Sequence, residues 1–249
     1  MLLQLTNLSL GYDKVIFKGI NATARKGEMI AVIGANGTGK STLLKSIAGI
    51  VPYYSGEVEI SGKPLKSYSP GKRAELISFV PSQSPRVKNL SLFHMLAASC
   101  YQRSDWLGRV GEKEQILINE TLKKVGLEGF GNRDSSQLSD GEFQRASIAR
   151  SLVQDTQLIL LDEPTAFLDI ANKITITKLL CGIAENENKT VIFSTHDLIQ
   201  AIQLSDKIWI MGYDSFFEGE ADYLIQKGVF DKIFKDSSLR FDPTLFTFT

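Results

Sequence analysis

Apolar residues in the first sixty positions recur in two rhythms. Leu2 to Leu10 and Lys14 to Ala24 alternate apolar and polar residues, the period of half-buried antiparallel strands. Met29-Ile30-Ala31-Val32-Ile33 is an unbroken apolar run, as a parallel strand buried on both faces requires. Gly11-Tyr12-Asp13 predicts a turn between the first two strands, and Lys40 to Ile47 a helix with Leu43, Leu44 and Ile47 as its apolar set. Short strands are expected over Gly56 to Ile60 and over Leu76 to Val80, the second ending at Pro81. From about residue 84 to 138 the rhythm becomes helical, with Pro85 as the break and helices over Leu92 to Cys100 and Glu112 to Val125. No Gly/Ser-rich or Pro-rich linker brackets this stretch and no repeat recurs, so it reads as a helical insertion in a single domain of residues 1–249. Beyond it come a helix over Phe143 to Val153, a buried strand over Gln157 to Leu161, and another strand over Thr190 to Ser194. Between those strands Ile170 to Ile183 predicts a helix with Ile170, Ile174, Leu179 and Ile183 as its buried face. Strands alternating with helices give an α/β fold around a parallel sheet, here with an antiparallel β subdomain at the N-terminus.

Ligands of parallel sheets sit beyond the carboxyl ends of the strands, where the chemistry-bearing residues fall. Gly34-Ala35-Asn36-Gly37-Thr38-Gly39-Lys40-Ser41-Thr42 follows a strand, opens a helix, and fits the phosphate-loop pattern G-x-x-x-x-G-K-[ST]. Its glycines let successive N–H groups point inward as an anion nest, and the helix N-terminus adds partial positive charge. Lys40 brings a full charge for the outer phosphates, worth on the order of 4 kcal/mol at about 4 Å and an effective dielectric near 20, before desolvation. Ser41 offers a hydroxyl to Mg²⁺. Asp162 can hold the same ion as a hard oxygen ligand, and Glu163 can take a proton from an attacking water. His196 follows a buried strand by two residues and reads as a γ-phosphate sensor. Tyr12 either stacks on a base or packs under its own turn. Leu138-Ser139-Asp140-Gly141-Glu142 opens a helix: Ser139 and Gly141 can bind a phosphate, and Ser139 with Glu142 also makes a capping box.

Charge narrows the partners. Lys and Arg total 28, as do Asp and Glu, so the 249 residues carry no net charge and no nucleic-acid footprint. Cys100 and Cys181 have neither metal-ligand nor redox spacing and read as reduced cytosolic thiols. The N-terminus lacks the basic start of a signal peptide, and no apolar run approaches the ~20 residues of a membrane span. An anchoring partner is expected if the protein works at a membrane.

The phosphate loop, LSDGE, LILLDEP, Ala166-Phe167-Leu168-Asp169 and His196 together resemble, in order and spacing, the ATP-binding-cassette ATPases, to about Met211. That resemblance implies ATP and Mg²⁺ as cofactors and makes Leu138 to Glu142 the signature. It also makes Asp169 part of a loop facing the partner subunit, His196 the switch histidine and Tyr12 the adenine-stacking residue. It implies a head-to-tail dimer in which Ser139 and Gly141 of one copy close on the ATP held by Lys40 of the other. Integral-membrane permease subunits and a substrate-binding protein complete the expected assembly, with this chain peripheral on the cytoplasmic face of the plasma (inner) membrane. The chain is most similar to importer ATPases for iron–siderophore, haem or cobalamin, through its phosphate loop, Trp106-Leu107-Gly108-Arg109 and Phe241-Asp242-Pro243. A soluble cassette ATPase is one alternative, whose ribosomal form would carry a second cassette and whose DNA-repair form a coiled coil; a P-loop GTPase or small-molecule kinase, which would not need Leu138 to Glu142, is another. Three positions depart from the common pattern, among them Glu142, where the signature often has glutamine. Asp140 replaces a glycine, and Ser82 replaces the glutamine of the metal-contacting loop. That contact falls to Ser82, which keeps the spacing from Val80-Pro81, or to Gln83 through a bulge.

Overall fold

A computed structural model describes residues 1–103, 110–233, 240–242 and 247–248. The chain runs β1 (Leu3–Gly11), β2 (Val15–Ala24), β3 (Met29–Gly34), α1 (Lys40–Ile47), β4 (Ser55–Ile60), β5 (Lys63–Pro64), α2 (Pro70–Leu76) and β6 (Ile77–Val80). It enters the insertion with α3 (Leu92–Ala97) and α4 (Glu112–Lys124), then returns through α5 (Asp140–Gln154), β7 (Leu158–Leu161), α6 (Ile170–Glu187) and β8 (Thr190–Ser194). It closes with α7 (Leu198–Leu204), β9 (Lys207–Met211), β10 (Phe216–Gly219), α8 (Ala221–Gln226), β11 (Phe241–Asp242) and β12 (Thr247–Phe248).

The main sheet has the order β10-β9-β3-β8-β7-β6, parallel except for β10 at its edge; a second, antiparallel sheet runs β2-β1-β4-β5. Alternation along the main strands sorts side chains between two cores. Met29, Ala31, Ile33, Ile159, Leu161, Val191 and Phe193 face the helical side with α5 and α6. Ile30, Val32, Leu158, Leu160, Ile192 and Trp209 face α1 and the antiparallel sheet. A sheet covered on both faces needs unbroken apolar strands, and each fully buried Leu or Ile contributes roughly 1.5–3 kcal/mol. This clamped sheet gives the loops at its carboxyl edge a rigid base.

Three details differ from the sequence expectation. Residues 70–76 form a helix, started by Pro70 at its first position and by Ser69, whose hydroxyl accepts from Lys72 N. The helix expected over Leu92 to Cys100 is α-helical only to Ala97 and continues as a 3₁₀ turn to Arg103. The buried face of α6 is Ile176, Leu180, Ile183 and Ala184, while Ile170 and Ile174 are exposed. Within α6 the buried residues begin at Ile176, so its first turns contribute no buried side chain to the core. Trp106-Leu107-Gly108-Arg109 and Pro243 lie outside the described residues. Among the described residues no helix is long and apolar enough to cross a membrane.

Candidate active site

The phosphate loop joins β3 to α1. A Cβ on Gly34 would stand 2.4 Å from the Met211 carbonyl of β9, so only glycine lets the loop leave the sheet there. Gly39 caps α1 at φ 101°, a conformation that side chains rarely tolerate. Ala35, Thr38 and Ser41 are half-buried, Lys40 and Thr42 buried, and Asn36 and Gly37 exposed at the tip. The Lys40 ammonium donates to the carbonyls of Gly34 (2.9 Å) and Ala35 (3.2 Å). Burial lowers its pKa, and the negative charges of Glu163 and Asp162 act in the opposite sense.

Neighbouring strands deliver the other groups to the same edge. Asp162, buried just past β7, accepts at Oδ1 from the Ser41 hydroxyl (2.8 Å) and the Ser194 hydroxyl (2.8 Å). Its own N–H donates to Val80 O at the end of β6 (2.8 Å). Ser194 Oγ also accepts from Glu163 N (2.9 Å), so one hydroxyl holds both acidic residues in place. Glu163 has φ 49°, a strain of the kind that costs about 1–3 kcal/mol and persists where surroundings enforce it. Its Oε1 lies 2.5 Å from His196 Nε2. The sequence singled out Lys40, Ser41, Asp162, Glu163 and His196, and all five meet here; it did not single out Ser194. A serine closing the buried run Val191-Ile192-Phe193 was the available signal. Ser41 and Asp162 together present a hydroxyl and a carboxylate, the hard oxygen donors that suit Mg²⁺.

Other candidates surround this edge. Tyr12 is exposed and its carbonyl accepts from Tyr54 Oη (2.7 Å); Ile16, four residues on, would lie 3.4 Å from a Cβ on Gly39. Ser82 and Gln83 are both exposed on the loop leaving β6. Ser139 caps α5 and remains exposed, with the capping box complete: its hydroxyl accepts from Glu142 N, and Glu142 Oε2 accepts from Ser139 N (2.8 Å). That backbone bond holds the Glu142 carboxyl below its ordinary pKa. Buried Gly141 packs against the Asn172 amide, which also bonds Asp169 (3.0 Å) and Arg145 (3.0 Å). Asp169 caps α6, and its bonds from Asn172 lower its pKa.

A phosphate loop facing a strand-borne Asp-Glu pair and a histidine defines a phosphate-loop nucleoside triphosphatase. The family model described as ABC transporter matches residues 17–166, and the chain belongs to that family. It is an ATP-binding and ATP-hydrolysing subunit of an ABC importer. The petrobactin import ATP-binding protein FpuD of Bacillus anthracis is 30% identical, covering 97% of this chain and 89% of its own. The zinc transport system ATP-binding protein TroB of Treponema pallidum is 32% identical, covering 87% and 80%. Among solved structures, an inward-facing transporter described as metal-chelate type aligns with TM-score 0.83 and 28% identity, over 96% of this chain and 90% of that one. The dimeric, post-hydrolysis cassette MJ0796 bound to ADP and Pi aligns with TM-score 0.77 and 27% identity, over 88% and 98%.

Proposed function

We propose that the chain binds MgATP at the edge of its main sheet, closes head-to-tail on a second copy, and powers import of a ferric siderophore through an integral-membrane permease. The bonded series Ser41–Asp162–Ser194–Glu163, continued to His196, supports the chemical part of this reading. Lys40 exchanges its bonds to Gly34 and Ala35 carbonyls for phosphate oxygens, and the loop amides and the N-terminus of α1 hold the rest of the anion. Ser41 and Asp162 would hold Mg²⁺, which would neutralise charge on the phosphates. Glu163 accepts the proton of the attacking water, and His196 holds its carboxylate and contacts the γ-phosphate. Tyr12 stacks on adenine. Ser139, Gly141 and Glu142 form the helix end that meets the partner's nucleotide, with Asp169 facing the same interface. The cassette works peripherally on the cytoplasmic face of the plasma membrane, and a substrate-binding protein feeds the permease.

The permease docks against residues 84–110, beside a groove of about 510 Å³ lined by Glu75, Ser99, Tyr101, Arg150 and Gln154. The cargo assignment rests on similarity across 97% of the chain to the petrobactin importer subunit. Similarity to the zinc-system subunit favours a second reading, import of a free metal ion. Uptake of labelled ferric siderophore, haem, cobalamin and zinc, in cells with and without the gene, separates the two. Loss of siderophore uptake alone is expected. Loss confined to zinc installs the second reading, and normal siderophore uptake without a compensating paralogue ends the first.

A further inference from the structure

The loop leaving β6 is laced to the segment that leads into α5. Asn89 N donates to Asp134 Oδ2 (2.8 Å), Ser135 N to Leu90 O (2.8 Å), and Leu92 N to Arg133 O (2.9 Å). Phe93 N donates to Gly131 O (2.8 Å), and the Ser135 hydroxyl to Val87 O (3.2 Å). The rung nearest the nucleotide edge belongs to Arg86, three residues past Gln83. Its guanidinium donates to Leu138 O (2.5 Å) and to Asp140 Oδ1 (2.5 Å). It also lies 4.8 Å from the centre of the Phe143 ring. Arg86 therefore grips the residues on either side of Ser139. A planar fork with several donors can hold a carbonyl, a carboxylate and a ring face together, which a lysine cannot. Asp140 stands where the common signature has glycine, and a glycine would offer this fork no carboxylate.

We propose that Arg86 and Asp140 form a clasp that orients Ser139 and the start of α5 toward the partner copy's nucleotide. The same clasp ties that orientation to the loop of Ser82 and Gln83. This inference rests on the head-to-tail reading above. Arg86 is a positioning residue, acting through Ser139 rather than on ATP. Asp140 is largely exposed, so the ion pair adds little to stability. Its effect is geometric, and breaking it changes turnover rather than nucleotide affinity.

A double-mutant cycle on the full chain tests the clasp, with kcat for ATP hydrolysis and the Kd of a fluorescent ATP analogue as separate readouts. Arg86→Ala and Asp140→Asn are each expected to lower kcat about three- to tenfold, with Kd unchanged. The double variant should be no slower than Arg86→Ala, and Arg86→Lys should recover only part of the rate. Unchanged kcat in both single variants, losses that multiply in the double variant, or a loss confined to Kd would overturn the clasp. Ser139→Ala separates this from the underlying reading. If it lowers kcat and Arg86→Ala does not, the clasp fails while the shared site stands. If neither lowers kcat, the shared site fails and the clasp falls with it.

Discussion

The nucleotide edge of the main sheet and the junction between the insertion and α5 are both built from polar side chains, but they are held differently. At the edge, Asp162, Ser194 and Thr195 are buried at the ends of strands packed on both faces, and Lys40 is buried at the start of α1. At the junction, Arg86, Asn89 and Asp140 are exposed, and their bonds join segments 45 to 54 residues apart. Moving an edge residue means disturbing the core. The junction's polar bonds are bracketed by Leu92, Leu138 and Phe143, which are buried in the helical-side core. The chemistry thus sits on strand ends, the fixed region, and the signature on a segment reached through side-chain bonds between distant parts of the chain. Under the proposed docking on residues 84–110, a push from the permease would reach Ser139 through the bonds of Arg86 to Leu138 and Asp140.

The strongest test of the fixed region is Glu163→Gln. The amide keeps the shape but cannot take a proton, so turnover should fall about 10²–10⁴-fold with ATP binding intact. Steady-state hydrolysis and equilibrium binding check this. Residual turnover above about a tenth of wild type would remove Glu163 from the base role.

The loop of Ser82 and Gln83, where the two regions meet, should give an intermediate effect. If spacing from Val80-Pro81 governs the metal contact, Ser82→Ala slows single-turnover hydrolysis about three- to tenfold and Gln83→Ala does little. The reverse order would assign the contact to Gln83, and two silent variants would take the loop out of the metal shell.

The smallest effect is expected at the junction. The folded pKa of Glu142 lies below its ordinary value. Its capping bond is therefore complete above that ordinary value and is lost as pH falls through the folded one. Thermal melts of wild type and Glu142→Gln should differ by under about 1 kcal/mol near neutrality and converge as pH falls through the folded value. A gap that persists in acid would show that the charge is not what the cap uses.

Legibility in the sequence follows the same division. β3, β7 and β8 could be read because a strand buried on both faces must be apolar without interruption. The phosphate loop could be read because its backbone requires glycine at fixed positions. The face of α6 could not, because exposed Ile170 and Ile174 are as apolar as buried Ile176, and periodicity carries no mark of which turns meet the core. Ser194 belongs to no spaced motif; its part depends on β7 and β8 lying side by side. Arg86 meets Asp140 across 54 residues, a pairing that no local pattern encodes. β10 and α8 carry no comparable mark, because their short runs lack a sustained period and the resemblance extends only to about Met211.

The central claim is that one copy's phosphate loop works with the other copy's signature, and mixing two defective variants tests it directly. Lys40→Ala removes the phosphate lysine, and Ser139→Arg blocks the signature; each alone should hydrolyse almost no ATP. A mixed dimer contains one site with Lys40 from one copy and Ser139 from the other, both intact. An equal mixture should therefore regain up to about a quarter of the wild-type rate, since half the dimers are mixed and half their sites are whole. A mixture no more active than the two variants measured separately would contradict the shared site.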